Sequence, residues 1–497
     1  MHRPRVTIVV LCTIVLAAAA FGGHASPARV PLKLNPIVRE NLRPGTPGWL
    51  GPIVRDRGAE VYASATDALP GDTVSLYVST TPAAQYRVIV YRLGWYHGAG
   101  ARQVACLPSC SGAATGVAEP MPPGDSSTGE IVAGWPVTQQ LQIGGTWVSG
   151  YYEVRVLLLS GPEAGQSAVT YVIVRQPRSR SAMLVQVPVN TWQAYNSWGG
   201  RSLYDLPGLQ PRAHLVSFGR PYAWFAPGGQ GPLGWELPLV QFIERNGYDV
   251  SYQSDVITDA YPRTLLQHKL DVVAGHDEYW SKRMRDAWEL ARARGHNLAF
   301  MGANDAYWQV IMQDGGREIF AYKSLYDPNP NPALKTAMFR ELTPPRYECE
   351  LIGIQAQGVA LNWQPGDYTV VDATDPWMRG TGLKKGAVLK GIVSVESDTI
   401  PGDQTASSSC GNALTVFFHR ELGGDKNGNA DATRYVAPSG AIVFASGSHQ
   451  FSWGLTDIAY DPFMGHGFQS KGLQRFVLNA FDAMTGKARP SVSRPTR

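Results

Sequence analysis

The run Gly275-His276-Asp277-Glu278-Tyr279-Trp280 gathers an imidazole, two carboxylates and a phenol within a few residues. It follows the apolar stretch Leu270-Asp271-Val272-Val273-Ala274, which reads as a buried strand. If the strand's alternation continues, His276 and Glu278 project to one side and Asp277 to the other. An imidazole and a carboxylate on one side can serve as metal ligand and acid–base partner. The plainer reading is that Asp277 and Glu278 open the next helix, where acidic side chains favour the N-terminal dipole. Asn304, in Gly302-Ala303-Asn304-Asp305, has an amide that can donate to an oxyanion, or that simply makes a turn. Two further polar clusters, residues 191–195 and Ser448-His449, also fall just past apolar runs. There is no Gly-x-Ser-x-Gly elbow, no free Cys after a strand and no His-Glu-x-x-His, so serine, thiol and zincin chemistry find no support.

The elements around these clusters imply where they lie. Residues 183–187, 248–252, 270–274, 297–301 and 441–445 read as strands, and residues 237–246 and 281–294 have helical spacing and stop at Gly247 and Gly295. Strands alternating with helices argue for an α/β region over residues 181–487, with a mostly parallel sheet covered on both faces. In such sheets ligands bind beyond the carboxyl ends of the strands. All four clusters would then converge on one edge. Residues 38–175 follow a different grammar, with short period-two runs broken by Pro and Gly, and read as an antiparallel β-sandwich. Within them, Tyr91-Arg92-Leu93-Gly94-Trp95-Tyr96-His97-Gly98 is an aromatic, Gly-rich segment that suits either a structural loop or a binding surface.

A chain of 497 residues is long for one domain, and its 44% hydrophobic and 17% charged residues mark a globular protein. A net charge of +4 leaves no clustered basic footprint for nucleic acid. The 14 Trp and 22 Tyr often sit beside Gly and Asn, as loop aromatics do. Residues 1–25 have the order of a secretory signal: Arg3 and Arg5, an apolar run over residues 6–21, then small residues. The rival is an uncleaved N-terminal membrane anchor, and no other segment is apolar enough to cross a bilayer. Residues 26–37 read as a linker and residues 488–497 as a disordered tail. With Cys12 removed in the signal, Cys106, Cys110, Cys349 and Cys410 remain. An even count in an exported chain favours two disulfides. Cys106 and Cys110 flank only Leu-Pro-Ser, which leaves Cys349 to pair with Cys410. A thiolate metal site is the weaker alternative, because the spacing is not that of a zinc knuckle. The expected location is secreted or extracytoplasmic.

A set of segments spanning nearly the whole chain resembles the large (beta) subunit of N,N-dimethylformamidase and its wider family. They are Tyr91-Arg92-Leu93-Gly94-Trp95-Tyr96, Thr191-Trp192-Gln193-Ala194-Tyr195-Asn196, Gly275-His276-Asp277-Glu278-Tyr279-Trp280-Ser281, Gly302-Ala303-Asn304, Tyr322-Lys323, and Ser446-Gly447-Ser448 ahead of Trp453-Gly454. The resemblance implies a larger domain similar to the class I glutamine-amidotransferase fold, preceded by a β-rich one. It implies hydrolysis of a small amide C–N bond at a mononuclear Fe(III) held by two tyrosines and one glutamate. Carried onto this sequence, Glu278 is the carboxylate ligand, Tyr195 one tyrosine and Tyr152, in Ser149-Gly150-Tyr151-Tyr152, the second. His276, Asn304 and Lys323 become the polar catalytic groups, and Glu396 the second acidic residue. Phenolate and carboxylate are hard donors suited to a hard ferric ion. The family also implies a separate small subunit or self-association. Two other classes compete: a non-catalytic extracellular binding protein using its aromatic loops, and a hydrolase of different chemistry on the same sheet.

Overall fold

The computed structural model describes residues 34–54, 57–205, 211–223, 233–359, 365–394, 396–402, 410–421, 429–456 and 467–487. The expected signal, most of the linker and the expected tail lie outside the described residues.

Two sheets face each other over the first part of the chain. One pairs Ala59–Ala63, Thr73–Thr80 and Gln139–Gln142. The other is built on Gln85–Leu93, Ala101–Leu107, Gly150–Leu158 and Ser167–Val174. Alternation places Val74, Leu76 and Val78 of one against Val88, Val90, Val154 and Val156 of the other. Gly150–Leu158 is buried along almost its whole length because its two faces meet different partners. Tyr152, Val154 and Val156 enter the core between the sheets, whereas Tyr151 packs with Trp192 and Tyr252 of the following region.

That junction explains the Tyr91–Tyr96 segment. Arg92 makes a two-pronged ion pair with Glu244, at 2.7 and 3.1 Å, and both side chains are 0% exposed. Asn41 and Tyr252 also donate to Glu244, so the buried carboxylate is fully supplied with donors. The segment is a structural tie between the second sheet and the helix Glu236–Arg245.

The larger sheet has nine strands and is mixed. Val250–Ser254, Met183–Val187, Leu270–Gly275, Asn297–Gly302 and Ile442–Ala445 pair in parallel, in that order. Ala430–Val436, Thr415–Arg420, Gly366–Val370 and Val388–Val393 continue it with antiparallel pairings throughout. The expected class I glutamine-amidotransferase-like, mostly parallel sheet is therefore not what forms: half of the pairings are antiparallel. Parallel neighbours need a crossover of a dozen or more residues, usually a helix. The parallel strands have such helices. Between Gly366–Val370 and Val388–Val393 the described chain offers a short 3-10 turn, Pro376–Met378, and the strand returns beside its predecessor.

The parallel half is apolar on both faces. Val185, Val272, Ala299 and Phe444 meet Leu239, Val240 and Ile243 of Glu236–Arg245 and Leu473, Phe476 and Phe481 of Lys471–Thr485. Leu184, Val273, Leu298 and Val443 meet Met284, Trp288 and Ala291 of Lys282–Ala293. Two small sheets sit at the carboxyl ends of these strands. One joins Tyr279–Ser281, Trp308–Gln313, Glu318–Phe320 and Leu215–Ser217, and the other pairs Gln355–Val359 with Glu396–Thr399. Disulfides join Cys106 to Cys110 and Cys349 to Cys410. Among the described residues, no helix is long and apolar enough to cross a membrane.

Candidate functional site

The site begins where two parallel strands end on facing glycines. A Cβ on Gly302 would lie 1.6 Å from the carbonyl oxygen of Gly275, so the backbones can approach this closely only without one. Gly275 itself has φ +74° and turns the chain out of the sheet. His276 and Glu278 then face the same way, with Nε2 and Oε2 3.3 Å apart. Asp277 faces the other way and accepts from Gln186 Nε2 at 2.6 Å. The helix starts only after Ser281, which caps it through the Met284 N–H, and no acidic residue occupies its first turn. Asp277 and Glu278 therefore do not serve as helix-opening residues.

Glu278 is held by donors from several segments. Its own N–H donates to Thr191 Oγ1 at 2.9 Å. Trp308 Nε1 donates to Oε1 at 2.9 Å, and the Tyr204 hydroxyl reaches Oε1 at 3.0 Å and Oε2 at 2.8 Å. Tyr195 ends the helix Val189–Tyr195, and its hydroxyl lies 3.4 Å from His276 Nε2. The Tyr195 and Tyr204 rings are 4.2 Å apart between centroids.

The other side of His276 is built from later segments. An isolated bridge between Ser397 and Ser448 brings Glu396 and His449 together. Glu396 Oε2 is 3.4 Å from His276 Nε2 and 4.0 Å from His449 Nε2, and Asn304 Nδ2 donates to it at 3.1 Å. Asn304 and Lys323 both hold left-handed backbone, at φ 52° and 53°, which costs a non-glycine residue about 1–3 kcal/mol and clusters at functional sites. Lys323 Nζ donates to the Tyr279 hydroxyl at 2.8 Å and sits 3.4 Å over the Tyr204 ring.

Tyr152, expected as the second tyrosine ligand, is not brought to this cluster. It lies in the core between the two N-terminal sheets, stacked on Trp147, with its hydroxyl donating to the Val148 carbonyl at 2.8 Å. The strand's alternation sends Tyr151, not Tyr152, towards the larger sheet. Tyr204 stands where the second tyrosine was expected.

Burial and close charge set the protonation states. Burial alone would lower the His276 pKa, but the Glu396 and Glu278 carboxylates outweigh it and hold it at about 9. Burial works against the Glu278 carboxylate, yet His276 and Lys323 keep its pKa below the usual range. Glu396 is raised by burial, against the pull of His276. Burial presses Lys323 down to about 8 despite Glu278. Tyr195 and Tyr204 are raised well above 10 by burial, reinforced by Glu278, so without a cation both are neutral phenols. His449 is pushed well below its ordinary value by burial and by His276, and remains neutral.

Two donor sets in this cluster could hold a metal ion. Ligand atoms of His276, Glu396 and His449 all lie within 4.8 Å of one another. Tyr195, Tyr204 and Glu278 form an all-oxygen set beside them. That second set has the hard-donor chemistry a trivalent ion favours, since a cation can displace phenol protons as it does those of water and thiols. The donors present are therefore of a kind that can hold a cation.

Sequence reasoning gave no site role to four of these residues. Tyr204 lies in a loop, with no periodicity to single it out. Tyr279 and Trp308 look like ordinary strand aromatics. His449 was visible at a strand end, but its pairing with Glu396 depends on the Ser397–Ser448 bridge.

Comparison with known proteins bears on the family of the chain. A curated relative, the N,N-dimethylformamidase beta subunit of Alcaligenes sp, is 31% identical over 122 residues, which is 23% of this chain and 16% of that protein. The chain thus aligns with a small part of that relative's length. Among solved structures, the sulfur carrier protein SoxY from Chlorobium limicola f thiosulfatophilum covers 26% of this chain and 87% of its own at 14% identity. Its TM-score of 0.14 carries no information on the fold. A family model, described as N,N-dimethylformamidase beta subunit-like, C-terminal, matches residues 87–465. That span runs from the Arg92 tie through His276, Glu278 and Glu396 to His449, and so takes in every segment that builds the cluster: the chain belongs to the N,N-dimethylformamidase beta subunit-like, C-terminal family.

Proposed function

We propose that this protein hydrolyses the C–N bond of a small amide at the cluster around Glu278, with a single ferric ion held by Glu278, Tyr195 and Tyr204. The observation that carries this reading is the meeting of two phenols and a depressed carboxylate from three separate segments, beside an imidazole and a second carboxylate. Such an ion, when bound, supplies a Lewis acid for the amide carbonyl.

The chain's own groups account for the proton movements. Glu396 is the most open of the carboxylates, with its side chain 19% exposed against 4% for Glu278. Its raised pKa makes it the stronger base, and it takes a proton from the attacking water as the new C–O bond forms. Without a cation, the Glu396 and Glu278 carboxylates keep a proton on His276. In the loaded site His276 is the group placed to pass a proton to the amine nitrogen as the C–N bond breaks. The 3.4 Å contact between Glu396 Oε2 and His276 Nε2 lets the first proton replace the second. Asn304 Nδ2 and Lys323 are the neutral and cationic donors for charge developing on the carbonyl oxygen. The enclosure of His276 and Glu278 supports a small substrate.

Two disulfides support an oxidising compartment, and with the apolar N-terminal run they favour export. The relative is called a beta subunit, and a companion subunit or self-association is read from the mass of the native particle.

The test is elemental analysis of purified protein together with hydrolysis assays on small formamides and acetamides. Iron near one per chain, with a visible tyrosinate charge-transfer band and amine release, supports the reading. Folded protein that takes up no iron and releases no amine ends it, and leaves the non-catalytic binding protein.

A further inference from the structure

The hydrogen bonds behind Tyr204 all run in one direction. Lys323 Nζ donates to the Tyr279 hydroxyl at 2.8 Å, and the Tyr279 hydroxyl donates to the Tyr204 oxygen at 2.6 Å. The ammonium also lies 3.4 Å from the Tyr204 ring centre and 5.0 Å from that of Trp308. Tyr279 itself is fully buried and fixed by its backbone. Its strand pairs with Trp308–Gln313, and Asn190 Nδ2 donates to its carbonyl at 3.2 Å.

A neutral Tyr204 has no need of this line of donors. Its proton already has two acceptors in the Glu278 carboxylate. Once a cation displaces that proton, the oxygen becomes a pure acceptor in a buried place. It then needs a donor that is already aimed at it and cannot turn away. Tyr279 is such a donor, and Lys323 prevents its proton from pointing the other way, because an ammonium can only donate. Outer hydrogen bonds of this kind orient metal ligands and raise affinity.

We propose that Tyr279, oriented by Lys323, is the positioning residue for Tyr204: it aims the Tyr204 oxygen at the cluster and stabilises the negative charge that oxygen carries as a ligand. The inference rests on the reading that the cluster takes a ferric ion, and it adds a residue that this reading does not use. Tyr279 does not touch the substrate and acts through Tyr204 alone.

The test is Tyr279→Phe in the full-length protein, titrated with ferric ion and followed in the visible band. Loss of the donor raises the energy of the phenolate electrons, so the band moves to longer wavelength. The ferric dissociation constant rises about 10- to 100-fold. Lys323→Met moves the band the same way by a smaller amount, and at its half-buried position it carries the test if Tyr279→Phe does not fold. Thermal melting checks the fold of each variant. A folded Tyr279→Phe with unchanged band and dissociation constant overturns the proposal while leaving the iron reading intact. Wild-type protein that binds no ferric ion overturns both.

Discussion

The Tyr204 hydroxyl lies 2.8 Å from Glu278 Oε2 and 3.0 Å from Oε1, across a separation of 74 residues. Tyr152 lies in another core, bonded to Val148. The two tyrosines therefore make opposite predictions. Tyr204→Phe removes a cluster oxygen and should lower bound iron and bleach or shift the visible band. Tyr152→Phe should leave both untouched and cost only about 0.5–1.5 kcal/mol of stability, the net worth of one hydrogen bond. Iron content and visible spectra of the two variants decide it. A band that survives Tyr204→Phe and vanishes in Tyr152→Phe restores the ligand set expected from the resemblance.

The role proposed for Glu396, that of general base, is tested with Glu396→Gln. The substitution keeps the size of the side chain but cannot take a proton from water. Its kcat should fall by about 10²–10⁴ on whichever amide the wild type turns over fastest, the ordinary range for loss of a general base. Iron content should stay at the wild-type level, because Glu396 is outside the Tyr195, Tyr204 and Glu278 set. Loss of iron in Glu396→Gln would instead point to the His276, Glu396 and His449 donors as the binding set.

These positions also mark what a sequence can and cannot reveal. His276 and Glu278 were legible as a local pair: the strand ends at Gly275, yet the two side chains still face one way, with Nε2 and Oε2 3.3 Å apart. Tyr204 was not legible, because a loop residue's neighbours are set by tertiary packing. The sheet divided in the same way. Leu270–Gly275 and Asn297–Gly302 are apolar on both faces, and each is joined to its neighbour by a helix, so their parallel pairing could be read. Gly366–Val370 alternates buried with exposed residues, the pattern of an antiparallel strand with one face open. That signal was local too, but partner choice among Thr415–Arg420, Val388–Val393 and Ala430–Val436 was not.

The buried ion pair predicts an asymmetry in stability. Arg92→Met leaves the Glu244 carboxylate buried without its counter-charge and should cost about 3–5 kcal/mol. Replacing both residues with methionine removes the uncompensated charge and should cost markedly less. Denaturant unfolding of the single and double variants measures the difference. A double variant less stable than Arg92→Met would mean that the pair is a net stabiliser and not simply a tie that must be kept matched.

Asp271 supplies a prediction on pH. It lies in the strand Leu270–Gly275 at 0% exposure, and among the described residues neither carboxylate oxygen has a hydrogen-bond partner. Burial raises its pKa well above the usual 3.8. A carboxyl raised on folding holds its proton more tightly in the native state than in the unfolded chain. Its contribution is fully present below the unfolded pKa of about 3.9 and is lost as pH rises through the native value. Asp271→Asn keeps the shape and removes the titration. The variant should match the wild type at pH 4 and exceed it at pH 8, by on the order of 1 kcal/mol or more, a common size for single substitutions. Urea unfolding of both proteins at the two pH values measures the gap. Curves that stay parallel from pH 4 to pH 8 would show that Asp271 gains a partner or water that keeps its charged form as stable in the fold as outside it.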